Sequence, residues 1–389
     1  MWHRLNVCAP RMSLSTVVLS ADPNFIAFAG DVPVFSDPVT ESHLRQAAHK
    51  IAQPGAVVAF PTETVYGLGG SALDDASVRA IYAAKNRPAD NPLIVHVSSL
   101  DQVRRLILTQ LRRIPPVYDK LIQNFWPGPL TILLPIEDGS PVLKLVTAGQ
   151  TTVGVRMPCH TIARALIALS NTPLAAPSAN ASTRPSSTLA SHVAADLDGR
   201  IPLILDGGPC AVGVESTVVD GLCTPPMLLR PGGVSPDDVR RVGGAPWRDL
   251  VLAKKTAGIL EPVRTPGMKY RHYSPTAKVV LFINCGDGAA AVTRYLRGRT
   301  DKIALLRAGR FVSAAEMGLL DIVERQMGAT APEIGHNLFK DLRDVDALGV
   351  KVILVEGIDE ADDGLAVMNR LSKAASETID GLTLFKTDL

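Results

Sequence analysis

Cysteine is scarce and follows no pairing pattern. The five residues, Cys8, Cys159, Cys210, Cys223 and Cys285, are odd in number and include no C-x-x-C. That excludes a disulfide framework and a thiolate zinc site, and it fits a reducing compartment. Aromatic residues are 5% of the chain and the formal net charge is +2. A base-stacking platform and a strongly basic nucleic-acid face are both poorly supported. No apolar run reaches about 18 residues, so no membrane-crossing helix is expected. There is no G-x-x-x-x-G-K, and no G-x-G-x-x-G follows the first strand of the last third, so the P-loop and dinucleotide fingerprints are missing. What remains is a chain of 389 residues, 46% hydrophobic with mean hydropathy +0.17, enough for two ordinary packed domains.

The stretch PTETVYGLGG, 61–70, follows the apolar run 56–60, which reads as a buried strand. Thr62, Glu63, Thr64 and Tyr66 offer polar groups. Gly67, Gly69 and Gly70 are expected to bring backbone N–H groups close to an anion. The alternative is a plain polar loop whose glycines supply positive φ. Before it, 41–53 places Leu44, Ala47, Ala48 and Ile51 on one helical face, stopped by Pro54-Gly55. After it, Asp74 or Asp75 caps a helix that delivers Lys85-Asn86-Arg87-Pro88. Strands are expected at 93–97 with His96 inside, at 130–134, at 151–158 carrying Arg156, and at 174–180 opening into Ser178-Ala-Asn180. LILDGG, ESTVVD and MLLRPGG add three more, the last ending near Arg230. Helices alternate with these strands, and the strand-to-strand run after 200 requires antiparallel pairing, so a mixed α/β sheet is expected.

From 245 to 275 the periodicity stops. Within 249–275, five bases (Lys254, Lys255, Arg264, Lys269, Arg271) face two acids (Asp249, Glu261), a net of 5 − 2 = +3. So long a segment without regular structure is usually functional or disordered. It reads here as a linker that closes over a site, with an inert tether as the alternative. Beyond it, KVVLFI, KIALLRA and KVILVEG alternate with helical stretches, one of them at 332–346, as in a smaller Rossmann-like parallel α/β domain. The expected divisions are an N-terminal extension 1–35, a catalytic domain 36–244, a linker 245–275 and a C-terminal domain 276–389.

Lys85, Arg87 and Arg230 supply fixed positive charge; Ser178, Asn180 and Ser186 supply neutral hydrogen bonds. Arg156 with Thr64 suits a carboxylate, which arginine can hold in a fork. Together they suit a polyphosphate nucleotide and a small acid in one pocket. Each also has a plainer reading: Lys85 and Arg87 as a solvated helix end, His96 as a core histidine, Arg156 paired with a structural acid such as Glu215, and Ser178–Asn180 as a helix cap.

PTETVYGLG (61–69), KNRP with NPL (85–93), WPGPLT (126–131), VRMP (155–158), PSAN (177–180), ESTVVD (215–220) and RPG (230–232) resemble the threonylcarbamoyl-AMP synthase family, of YrdC-like fold. TPGMKYRHYSP (265–275), GHNLFKDLR and AVMNRLSKAA resemble its long, two-domain form. The resemblance implies a YrdC-like mixed twisted sheet domain followed by the smaller Rossmann-like domain. It implies a nucleotidyltransferase that joins L-threonine, bicarbonate or CO₂, and ATP with Mg²⁺ into threonylcarbamoyl-AMP and pyrophosphate. The product would pass to a tRNA-modifying threonylcarbamoyl transferase complex. By the same resemblance Lys85 and Arg87 are catalytic, and Arg87, Asn91, Thr152, Ser178, Asn180, Ser186, Arg230 and Tyr270 contact ATP, with Tyr273 in reserve for Tyr270. Thr64, His96, Arg156, Ala176 (through its backbone) and Ser216 contact threonine. No metal-holding residue is implied.

Two other classes stay open: an RNA-binding module of the same fold, binding tRNA directly, and a carbamoyltransferase-related nucleotidyl enzyme. The latter family carries an acylphosphatase-like domain and C-x-x-C zinc motifs, which are missing here. A cytoplasmic location is expected. The leader MWHRLNVCAPRMSLS, with Arg4, Arg11 and no acid before Asp22, also fits a mitochondrial transit sequence.

Overall fold

The structure, a computed structural model, describes residues 15–108, 113–136, 139–253 and 272–384. An eleven-stranded mixed sheet dominates the first part. In spatial order its strands are Val17–Ser20, Leu203–Asp206, Val58–Phe60, Gly67–Ser71, Leu174–Ala175, Val95–His96, Thr152–Arg156, Leu130–Pro135, Thr217–Asp220, Met227–Arg230 and Val251–Leu252. The second part holds five parallel strands in the order Val323–Gln326, Ile303–Arg307, Val352–Glu356, Lys278–Ile283, Glu377–Asp380. The expected α/β class and the parallel second sheet are both present.

Local chemistry explains the helices that frame the site. Asp37 caps Pro38–Ile51 by accepting from the Thr40 N–H at 2.7 Å, with Pro38 in the first turn, where its missing N–H costs nothing. Leu44, Ala47, Ala48 and Ile51 are its buried face. Asp74 caps Asp75–Lys85, accepting from the Ser77 N–H at 2.9 Å, and Asn86 ends that helix at φ 52°. The left-handed residue turns the chain sharply, so Lys85 points back into the protein.

Three expectations need correction. Residues 17–20, assigned to an N-terminal extension, form a parallel edge strand on Leu203–Asp206, and Ile26–Ala29 pairs with Val32–Phe35 in a hairpin. The strand expected at 93–97 is only Val95–His96, because its flanks turn into the cavity and into the next helix. The glycines 67, 69 and 70 are strand residues, none with positive φ, and do not form an anion cradle. Gly69 is there for room, since a Cβ would lie 2.6 Å from the Phe60 ring.

The two parts share a core. Val65 and Val214 from the first pack in one apolar cluster with Leu338, Phe339, Val367 and Leu371 from the second. Gly213 sits at φ 79° where a Cβ would meet the His336 Cα at 2.5 Å, so the two backbones touch there. Only glycine allows that approach.

Candidate active site

One cavity opens beside the seam between the two parts. At one end Thr62 organises the 61–66 loop: its Oγ1 accepts from the Thr64 and Val65 N–H groups at 3.2 Å and donates to Val65 O at 2.7 Å. This hydroxyl turn fixes Glu63 and Thr64 opposite Arg156. Arg156 is 3% exposed. Its Nη2 donates to Glu63 Oε1 at 2.6 Å, Nη1 to Thr64 Oγ1 at 2.9 Å and Nε to Gly128 O at 3.2 Å. The pairing acid is therefore Glu63, not Glu215. A guanidinium carries five N–H bonds, and partners among the described residues take three of them. His96 is the parallel-sheet partner of Arg156. Burial, then the Arg156 charge, push its imidazole down to about 3, so it is neutral. Its Nδ1 is buried and has no hydrogen-bond partner among the described residues. Ala176 and Ser216 complete this end of the lining.

The other end carries the positive charge. Lys85, 2% exposed, is no solvated helix end; its Nζ donates to the carbonyls of Ser178 and Asn180. Burial, then repulsion by Arg87, hold its amine well below the ordinary lysine range. Arg87 follows on the irregular segment after Asn86, and both line the cavity with Ser178 and Asn180. Asn180 Nδ2 donates to the carbonyls of Ala181 and Arg184, and its buried Oδ1 has no hydrogen-bond partner among the described residues. Arg230, the last residue of its strand, donates from Nε and Nη2 to Ser216 O at 3.1 and 2.9 Å. Burial pulls it down to about 10, and it stays charged at neutral pH.

Ten of the fourteen expected site residues therefore share one cavity: Lys85, Arg87, Ser178 and Asn180 towards one end, Thr64, His96, Arg156 and Ala176 towards the other, with Arg230 and Ser216 bonded to each other where the two meet. Asn91, Thr152 and Ser186 do not line it. Asn91 is buried and accepts on its main-chain oxygen from the Tyr82 hydroxyl at 3.0 Å. Thr152 opens its strand opposite Pro135. Ser186 lies behind the wall, donating to Glu215 Oε1 at 2.6 Å. Tyr270 lies outside the described residues.

Sequence reasoning missed several wall residues. Ser182, Thr183 and Arg184 come from the segment ASTRPSSTLA, 181–190, where an arginine among serines and threonines was the available signal. His272 enters from the linker's end beside Tyr273, the residue held in reserve for Tyr270. Tyr273 is buried against Phe339 of the second part, ring centroids 5.1 Å apart. Glu215 is the unexpected acid in a basic wall.

Two family models match the chain: one described as "Telomere recombination" over residues 50–232, and "Threonylcarbamoyl-AMP synthase, C-terminal domain" over 234–376. A threonylcarbamoyl-AMP synthase of Schizosaccharomyces pombe is 52% identical over 368 residues, 88% of this chain and 90% of its own length. One from Pyrococcus abyssi is 45% identical over 343 residues, 88% of this chain and 96% of its own. A crystal structure of P. abyssi Sua5 complexed with L-threonine is similar in fold at TM-score 0.80 and 40% identity, covering 94% of this chain and 99% of that one.

Proposed function

The chain belongs to the threonylcarbamoyl-AMP synthase family, and we propose that its cavity takes L-threonine at the Arg156 end and ATP at the end lined by Lys85, Arg87 and Arg230. The observation that carries this reading is one cavity with two chemically distinct ends. The Arg156 end offers two N–H bonds and neutral groups, which suits a small zwitterion. The Lys85 end offers fixed positive charge and main-chain polar groups, which suits a triphosphate.

The chemistry follows from the ends being joined. The threonine amine gives up a proton and its lone pair forms an N–C bond to CO₂ supplied by bicarbonate. A carbamate oxygen then attacks the α-phosphorus in line. The bond to the β-phosphate oxygen breaks, and pyrophosphate leaves with that electron pair. The protein's share is positioning and charge neutralisation, as usual at phosphorus. His96, pushed down to about 3, is too weak a base to hold the amine's proton at neutral pH and serves as a neutral hydrogen-bonding group. ATP enters as its Mg²⁺ complex. Mg²⁺ carried on the triphosphate would share with Lys85, Arg87 and Arg230 the charge that develops at phosphorus. The mixed anhydride product then passes to a tRNA-modifying transferase complex.

Pyrophosphate release by purified protein, with each substrate omitted in turn, tests this. Release should require threonine, bicarbonate, ATP and Mg²⁺ together. Release that persists undiminished without threonine would rule the reading out.

A further inference from the structure

Glu215 is out of place in a pocket for a polyphosphate. It is buried in the wall, and it is ionised: burial alone would raise its carboxyl, but Arg370 and then Arg230 outweigh that and hold it at about 2. A negative charge facing bound phosphates opposes binding. The structure turns this charge away. Oε1 accepts from Ser186 Oγ at 2.6 Å. Oε2 accepts from Nε of Arg370 at 2.9 Å, and Nη2 lies 2.9 Å from the same oxygen.

Arg370 does not line the cavity. It stands on the helix Gly364–Ala374 of the second part and is 1% exposed. Its Nη1 donates to the carbonyl of Pro231, the residue after Arg230, and to Ala366 O on its own helix at 3.3 Å. One guanidinium thus fixes two segments of the cavity wall, 215 and 231, from outside the domain that contains them.

We propose that Arg370 is a positioning residue for the nucleotide end of the pocket: it neutralises Glu215 from behind the wall and fixes that carboxylate so that ATP does not meet an uncompensated negative charge. The proposal rests on ATP lying at that end. A purely structural bridge between the two parts would be damaged alike from either side. A charge-compensating one would not. Arg370→Ala leaves the carboxylate with only Arg230 to offset it beside the phosphates, whereas Glu215→Gln leaves the Arg370 guanidinium behind them.

The test is steady-state pyrophosphate release by the full-length chain, with KM for ATP and for threonine measured separately, beside thermal unfolding. Both variants should unfold at lower temperature than the native chain, since each breaks a buried pair. Their KM values for ATP should move apart. R370A should raise it about 30-fold or more, as truncating one partner of a buried charged pair does. E215Q should lower it. The KM for threonine should change far less in both. Combining R370A with E215Q should return the KM for ATP to the native value or below. Arg370→Met in the Glu215→Gln background leaves no lone buried charge and gives the same reading should R370A fail to fold. Equal increases in the KM for ATP from R370A and E215Q, or double variants as weak on ATP as R370A, would overturn the proposal. Wild-type pyrophosphate release without threonine would instead overturn the reading of the site, so the two failures are distinguishable.

Discussion

Two buried arginine–glutamate pairs flank the same cavity, and they are built differently. Arg156–Glu63 lies within the first sheet domain, its acid set by the Thr62 turn and its arginine in register beside His96. Arg370–Glu215 crosses from the second part to the first. Similar chemistry therefore serves different ends. On the proposed reading, the internal pair orients a fork whose remaining N–H groups face the threonine carboxylate. The crossing pair cancels a charge the ligand should not meet. A buried pair is weak evidence of stability by itself, because desolvation offsets much of the attraction. Here each pair is better explained by what it does to the cavity.

The contrast can be broken most forcefully at the nucleotide end. Lys85→Ala removes a buried amine and leaves the carbonyls of Ser178 and Asn180 without that donor. The rate of pyrophosphate release should fall by about 10²–10³, the usual loss for one preorganised electrostatic donor, with circular dichroism unchanged. Arg230→Ala should behave likewise. A full rate in both would return these residues to a structural role.

The threonine end should answer to a subtler change. Arg156→Lys keeps the charge but cannot bond Glu63, Thr64 and Gly128 together with a ligand. The KM for threonine should rise about 10- to 100-fold, the range for losing a hydrogen bond to a charged group. The KM for ATP should stay close to native. Equal rises in both would mean that the ends are not separate.

The smallest expected effect is on stability in acid. The folded state holds His96 at about 3, whereas an unfolded histidine titrates near 6.5. The folded chain therefore binds fewer protons, and stability is lost as pH falls from about 6.5 towards 3. At pH 5 the loss from His96 is about 2 kcal/mol. Glu215 works in a lower window: its stabilisation is complete above the ordinary carboxylate value and disappears as pH falls through about 2. Denaturant unfolding at pH 7 and pH 5 should show a smaller pH-dependent loss for His96→Gln than for the native chain. Equal losses would show that His96 is not held neutral in the fold.

The residues legible in the sequence are those where a polar group interrupts an apolar strand end or a helix stop. Thr64, Arg156, Ser178 and Arg230 were found this way, and Lys85 was found at its helix end. The pairings were less legible, because Glu63 and Arg156 are 93 positions apart and Glu215 and Arg370 are 155 apart. Only sheet register and domain packing bring them together. Gly67–Gly70 misled for a physical reason: glycine serves positive φ and close packing equally well, and only the Phe60 ring position shows which applies. The edge strand Val17–Ser20 escaped notice because half-exposed valines carry little alternation. Tyr270, chosen over Tyr273, lies outside the described residues, while Tyr273 is in the wall.

Separate calorimetric titrations of threonine and ATP into the native chain, Arg156→Lys and Arg87→Ala test the two-ended cavity most directly. The predicted result is a crossing: Arg156→Lys loses threonine affinity and keeps ATP affinity, and Arg87→Ala does the reverse. Variants that each weaken both ligands by the same factor would contradict the division of the cavity into two ends.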